Sequence, residues 1–160
     1  MLDIKKLLDF NTPYFDAFTS VETSPTTVRD DLRRANEDRM RKWERYIFVE
    51  TKATTAGAIR YDKDRVQSSH NYDLTDVVIK MSEAREAWHN AELYHSDLLQ
   101  AFTEYLIKAG FDDETIKIWL YRYGNCYSLN RIAKLLNVSR GKVQYHLGDK
   151  FEKQYLERVA

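Results

Sequence analysis

Ten positions between residues 74 and 105 recur at alternating steps of three and four: Leu74, Val77, Met81, Ala84, Trp88, Ala91, His95, Leu98, Phe102 and Tyr105. Nine of these ten are apolar or aromatic. A 3.5-residue repeat held over more than four heptads draws one stripe down one side of a helix. The spacing predicts a helix over residues 74–109, with Gly110 as its stop. About 35 residues at 1.5 Å each give a rod of roughly 50 Å, longer than one small domain needs for its own core. Part of the stripe is therefore expected to pack on a second helix of the same chain, and part on a second copy. Val77, Met81, Trp88, Leu98 and Phe102 are the candidates for this core and dimerisation stripe.

The partner helix is predicted over residues 27–50. Thr27 is placed to cap it, and Asp30 and Asp31 in its first turn suit the helix dipole. Val28, Leu32, Ala35, Trp43 and Ile47 mark its apolar side, and "TKATTAGA" reads as its end. "IRYDKDRVQSSHNYD" then reads as loop. Before residue 27, "LDIKKLLDF" suggests a short amphipathic helix with Leu7, Leu8 and Phe10 as its apolar side. "NTPYFDAFTSVETSPTT" reads as loop, with Tyr14, Phe15 and Phe18 needing a surface to pack on. Beyond Gly110, "FDDETIKIWLYRYG" predicts a compact helix. Asp112 or Asp113 caps it, Gly124 closes it, and Ile116, Trp119, Leu120 and Tyr123 form its apolar side.

With five Gly and two Pro among 160 residues, breakers are scarce, and 31% charged residues suit long helices with solvated faces. The expected fold is all-α: a long heptad-patterned helix packed on an N-terminal helix, then a C-terminal pair of short helices. Three segments are expected. Residues 1–73 carry the arm, the charged helix and the loop, 74–110 the long helix, and 111–160 the C-terminal unit.

The formal charge is zero, 25 basic against 25 acidic residues, but it is divided. Residues 126–160 hold seven basic and three acidic side chains, a surplus of +4, balanced by −4 on the rest. Residues 126–148 contain no carboxylate. A local basic patch, rather than the total, is what attracts phosphates. Within it, "SLNRIAKLLNVSRGKVQYHL" fits a helix-turn-helix. Ala133 is small where the second helix crosses, Asn137 tolerates left-handed backbone at the turn, and Ser128 and Ser139 cap the two helices. Ile132, Leu136, Val138 and Val143 supply the apolar contacts. The last core position, usually aliphatic, is His146, and Leu147 is a possible substitute.

Such a second helix, residues 139–147, lies in the major groove of DNA. Arg140 and Lys142 reach phosphates or guanine edges, Gln144 pairs with adenine, Gly141 allows close backbone approach, and Tyr145 and Ser139 complete the face. Arg131 and Lys134 on the first helix are placed for phosphates. The alternative for the same residues is an ordinary helical hairpin with a solvated basic face.

"YGNCYSLNRIAKLLNVSRGKVQYHL" resembles the region-4 helix-turn-helix of sigma factors. "YDKDRVQSS" followed by a helix opening "DLTDVVIKM" resembles phage and prophage proteins of Gram-positive bacteria, similar in layout to the RinA and ArpU late-gene regulators. The resemblance spans about residues 54–157. It implies a DNA-binding transcription role. Together with the long stripe, the expected function is a sequence-specific, dimeric regulator of phage or prophage transcription, with double-stranded DNA as partner and the long helix dimerising or docking host RNA polymerase. A protein-binding module that uses the long helix, and a DNA-packaging accessory of small-terminase type, are the alternatives.

Two Glu-x-x-His pairs, Glu86/His89 and Glu92/His95, have the spacing of carboxylate-bridged metal sites. His95 lies on the apolar stripe while Glu86 and Glu92 look outward, so no metal site is expected. The single cysteine, Cys126, has no positioned base and is expected to be a small buried residue. No catalytic residue and no cofactor are expected. No signal-peptide pattern is read, and runs such as "YIFV" are too short to span a bilayer. The expected location is therefore the bacterial cytoplasm.

Overall fold

The computed structural model describes residues 21–61 and 74–160, with side chains for 21–54 and 76–160. Among the described residues the fold is all-α. The helices are α1 (Val28–Tyr61), α2 (Leu74–Lys108), α3 (Asp113–Trp119), α4 (Leu129–Leu136), α5 (Arg140–His146) and α6 (Asp149–Arg158). A π-helical turn, Leu120–Gly124, follows α3. The predicted arm helix with Leu7, Leu8 and Phe10, the aromatic residues Tyr14, Phe15 and Phe18, and the segment from Asp62 to Asp73 lie outside the described residues. No helix among the described residues is long and apolar enough to cross a membrane.

The described residues form two compact units, one from 21–37 and 93–160, the other within Asp38–Glu92. This division differs from the three expected segments, because the two long helices each contribute to both units.

In the first unit the opening turns of α1 bury Val28, Leu32 and Ala35. They join Leu98, Leu99, Phe102 and Leu106 of α2, Ile116, Ile118 and Trp119 of α3, Ile132, Ala133 and Val143 of α4 and α5, and Tyr155 of α6 in one core. Two tyrosines, the half-buried Tyr105 and the buried Tyr155, fasten the chain before α1 to this core. Tyr105 donates to the Thr23 carbonyl at 2.9 Å and Tyr155 to the Pro25 carbonyl at 2.7 Å. Arg29 adds a bidentate pair to Glu152, at 2.6 and 2.9 Å. Its guanidinium also lies over the rings of Trp119, Tyr123 and Tyr155, 5.1 to 5.6 Å from their centroids.

Three local expectations are corrected. The Thr27 hydroxyl reaches back to Ser24, 2.8 Å away, rather than forward as a cap. The helix runs through "TKATTAGA" to Tyr61. Thr51 and Thr54, which resemble breakers in the sequence, return their hydroxyls to the carbonyls of Ile47 and Glu50 at 2.7 and 2.9 Å, so they sit inside the helix at no loss of hydrogen bonding. Gly124 ends the π-turn, but the left-handed residue there is Cys126, φ 57°. Gly124 is needed for a different reason: a Cβ would collide with the Leu99 side chain. Gly110 does close α2 as expected, with φ +78°.

The second unit is built around aromatic rings. Trp88 packs on Trp43 with centroids 4.5 Å apart and stacks on Tyr46 at 5.8 Å. Glu92 does not look outward. It accepts from Trp88 Nε1 at 3.2 Å and pairs with Arg39 at 3.5 Å, and its side chain is only 15% exposed. Trp43 and Ile47 stay at 38% and 37% exposure, so α1 buries its stripe fully only in its first turns.

Burial pushes the Tyr155 hydroxyl up from its ordinary 10.0 to about 12. A proton held more tightly in the folded chain contributes stability that is complete below pH 10 and is lost as pH rises from 10 to about 12. The Tyr155→Phe variant lacks this component, so its stability deficit against the parent should shrink across that window. Urea unfolding midpoints taken on both sides of it measure the effect, and a constant deficit would refute the assignment.

Candidate nucleic-acid interface

The turn between α4 and α5 meets every backbone requirement of a tight reversal. Ser128 Oγ accepts from the Arg131 amide at 3.3 Å and starts α4. Asn137, at φ 53° and ψ 47°, takes the left-handed conformation that ends it. The Val138 amide then bonds the Ala133 carbonyl at 3.0 Å and the Asn137 amide bonds the Lys134 carbonyl at 3.3 Å. This pair of bonds is a Schellman motif, which satisfies two carbonyls the helix end would leave open. Ser139 Oγ accepts from the Lys142 amide at 3.2 Å and starts α5 immediately. Ile132 and Val143 are fully buried and Ala133 nearly so, so α5 is fixed against α4 through its apolar side.

The fixed side of α5 determines what its other sides present. Arg140, Gly141, Lys142, Gln144 and Tyr145 are exposed, as are Arg131 and Lys134 on α4 and Ser139 between them. A Cβ at Gly141 would meet nothing within 4 Å, so the backbone there is open to approach. Tyr145 is 56% exposed and packs edge-on against Phe151, with centroids 5.5 Å apart. Lys150 Nζ lies 3.4 Å from the Tyr145 hydroxyl and adds a cation beside this face. Arg131 stacks on the Tyr127 ring at 3.9 Å. That stacking orders a long side chain that would otherwise lose rotamer freedom on binding.

His146 does occupy the core position. It is 8% exposed, and its Nδ1 lies 2.9 Å from the buried Thr115 hydroxyl. Its carbonyl accepts from Trp119 Nε1 at 2.8 Å. Leu147 is half-buried beside it. The departure from an aliphatic residue is thus matched by a polar partner on α3.

Sequence reasoning missed Glu114, whose carboxylate reaches α5 from α3. It lies 2.8 Å from Lys142 Nζ and 4.0 Å from His146 Nε2. No pattern of spacing could reveal a contact between α3 and α5, which the fold alone brings together. Asp112 caps α3, and the hydrogen bonds from Thr115 hold its carboxyl below the ordinary value of 3.8.

The stripe residues divide by unit. Leu98 and Phe102 are fully buried in the core of the first unit, which leaves them no surface for a second copy. Val77, Met81 and Trp88 belong to the second unit and are partly exposed. His95 is buried with Nε2 2.7 Å from the Gly124 carbonyl, so its Glu-x-x-His spacing serves packing. Among the described residues, no group of three or more His, Cys, Asp or Glu side chains is placed to hold a metal ion. Cys126 is exposed, a correction to the expected burial, because the left-handed backbone turns it away from the core.

The chain matches no protein-family model, and neither the curated proteins nor the solved structures contain a significant match.

Replacing Thr115 by Val leaves His146 Nδ1 buried without its partner and should cost roughly 1–3 kcal/mol. The double variant Thr115→Val, His146→Leu removes both polar groups and should recover most of that loss. A double-mutant cycle by chemical denaturation measures the coupling, and additive effects would show that the pair does not interact.

Proposed function

We propose that the protein is a sequence-specific DNA-binding transcriptional regulator of the sigma-region-4-like kind, acting on phage or prophage genes and reading the major groove with α5. One observation carries this. The Schellman turn and the Ser139 cap hold α5 with Val143 inward, leaving Arg140, Lys142, Gln144 and Tyr145 exposed on a segment that has no carboxylate of its own. In this assignment Arg131 and Lys134 contact phosphates and fix the register, while Arg140, Lys142 and Gln144 contact base edges. Ser139 and Gly141 bring the backbone close, and Tyr145 packs against the sugar–phosphate edge.

Duplex taken from upstream of the protein's own operon tests the reading by fluorescence anisotropy. The double variant Arg140→Ala, Lys142→Ala should lose at least about tenfold in affinity, and Gln144→Ala should relax the preference at one base pair by about 1–3 kcal/mol. Four to six phosphate contacts per protomer give a slope of log affinity on log salt of about −4 to −5. Unchanged affinity in the double variant would remove α5 from the interface.

The second unit supports a protein contact. Met40, Phe48, Val78 and Ile79 are 48–59% exposed there, beside the partly exposed Trp43 and Ile47. A second copy is the occupant that fits this function, because a dimer spans two half-sites one helical turn apart. A docked polymerase subunit is the alternative. Analytical ultracentrifugation should give twice the chain mass, and Phe48→Lys should shift it to the monomer. A monomeric parent at high concentration would favour the polymerase.

A further inference from the structure

An open groove of about 500 Å³ lies in the first unit, lined by Thr26, Arg29, Asp30, Arg33, Arg122, Tyr123 and Cys126. Three arginines in one groove are costly to bring together unless their charge is answered. Arg29 is answered within the fold by its bidentate pair with Glu152. Arg33 and Arg122 are answered weakly. Arg33 meets Asp30 only at 3.6 Å, with the two side chains 61% and 67% exposed. Arg122 donates one Nη1 hydrogen bond, at 3.0 Å, to the Tyr127 carbonyl and is exposed.

We propose that this groove is a phosphate-binding site, with Arg33 and Arg122 as its two guanidinium arms. Guanidinium groups match phosphate oxygens in pairs, and a phosphate that takes both arms outcompetes the single, solvated carboxylate of Asp30 for Arg33. The hydroxyls of Thr26 and Tyr123 line the same groove and supply further donors. The groove also adjoins the basic face of α4 through one residue. Tyr127 takes the Arg122 hydrogen bond on its carbonyl and carries Arg131 on its ring, 3.9 Å from the centroid. Arg122 and Arg131 are thus held by the two ends of the same residue.

Two sources of phosphate fit this chemistry. One is the backbone of duplex flanking the site bound by α5, an assignment that rests on the proposed function. The other is a free phosphorylated compound, which does not.

Cys126 lines the groove and is the chain's only cysteine, so its thiol reports occupancy. The experiment follows the rate at which a neutral maleimide modifies Cys126 in the full-length chain at constant ionic strength. The probes are inorganic pyrophosphate and duplex DNA. A probe at tenfold excess over its dissociation constant should slow modification about tenfold, and Arg33→Gln should abolish that protection. Arg33 is largely in solvent, so this variant retains the fold, and circular dichroism verifies it; Arg122→Gln is the second variant.

Protection by duplex, lost in the variants, assigns the groove to the DNA backbone, and the salt slope should then fall by one to two units. Protection by pyrophosphate alone assigns it to a free phosphate compound, and this result stands even where no duplex binds. No protection by either probe, or equal protection in both variants, overturns the proposal. That failure is separable from failure of the proposed function, because the Arg140→Ala, Lys142→Ala comparison still reports on α5.

Discussion

Trp119 is the residue through which the first unit is assembled. It is fully buried, and its ring lies within 6.5 Å, centroid to centroid, of Phe102, Phe111, Tyr123 and Tyr155. It therefore joins α2, α3, the π-turn and α6 in one packing event. Its single polar atom, Nε1, is answered by the carbonyl of His146, the last residue of α5. A buried indole N–H without a partner would be penalised. The requirement to satisfy it fixes where α5 ends, and the Schellman turn fixes where α5 begins. The exposed residues of α5 have defined positions because both ends of the helix are held.

The elements legible in the sequence were those governed by local hydrogen-bond demands. Ser128, Ser139 and Asp112 cap because an oxygen on a short side chain is placed opposite unsatisfied amides, wherever the helix happens to pack. Asn137 adopts the left-handed turn for a similarly local reason. The long stripe was legible as a helix, but not as a helix whose burial partners change along its length. Periodicity records that a residue is buried, not against what. Leu98 and Trp88 look alike in the repeat, yet the first lies in the core of one unit and the second in the aromatic cluster of the other.

What escaped the sequence were contacts between residues far apart in the chain. Thr115 on α3 gave no sign of being the partner of His146, which is 31 positions away. Glu114, too, gives no sign in the sequence of its partner: its carboxylate closes on Lys142, 28 positions away. Cys126 was misjudged because small sulfur-bearing side chains are usually buried, whereas here the backbone at φ 57° decides the direction of the side chain. The groove beside it combines residues from the start of α1 with residues after α3, a pairing that only the folded chain creates.

The contact between Glu114 and Lys142 gives α5 a built-in counter-ion. A polyanion approaching this helix does not meet a bare lysine. It meets a neutralised pair, and it must either displace the carboxylate or suffer its repulsion, since Glu114 stays anchored on α3 at 2.8 Å from the ammonium. An acid held that close penalises indiscriminate attraction more than a well-fitted contact, which can draw Lys142 away to a better acceptor. The chain as a whole has no surplus charge, and at Lys142 the same balance holds locally, because the cation of α5 is answered by a carboxylate that the fold brings from α3.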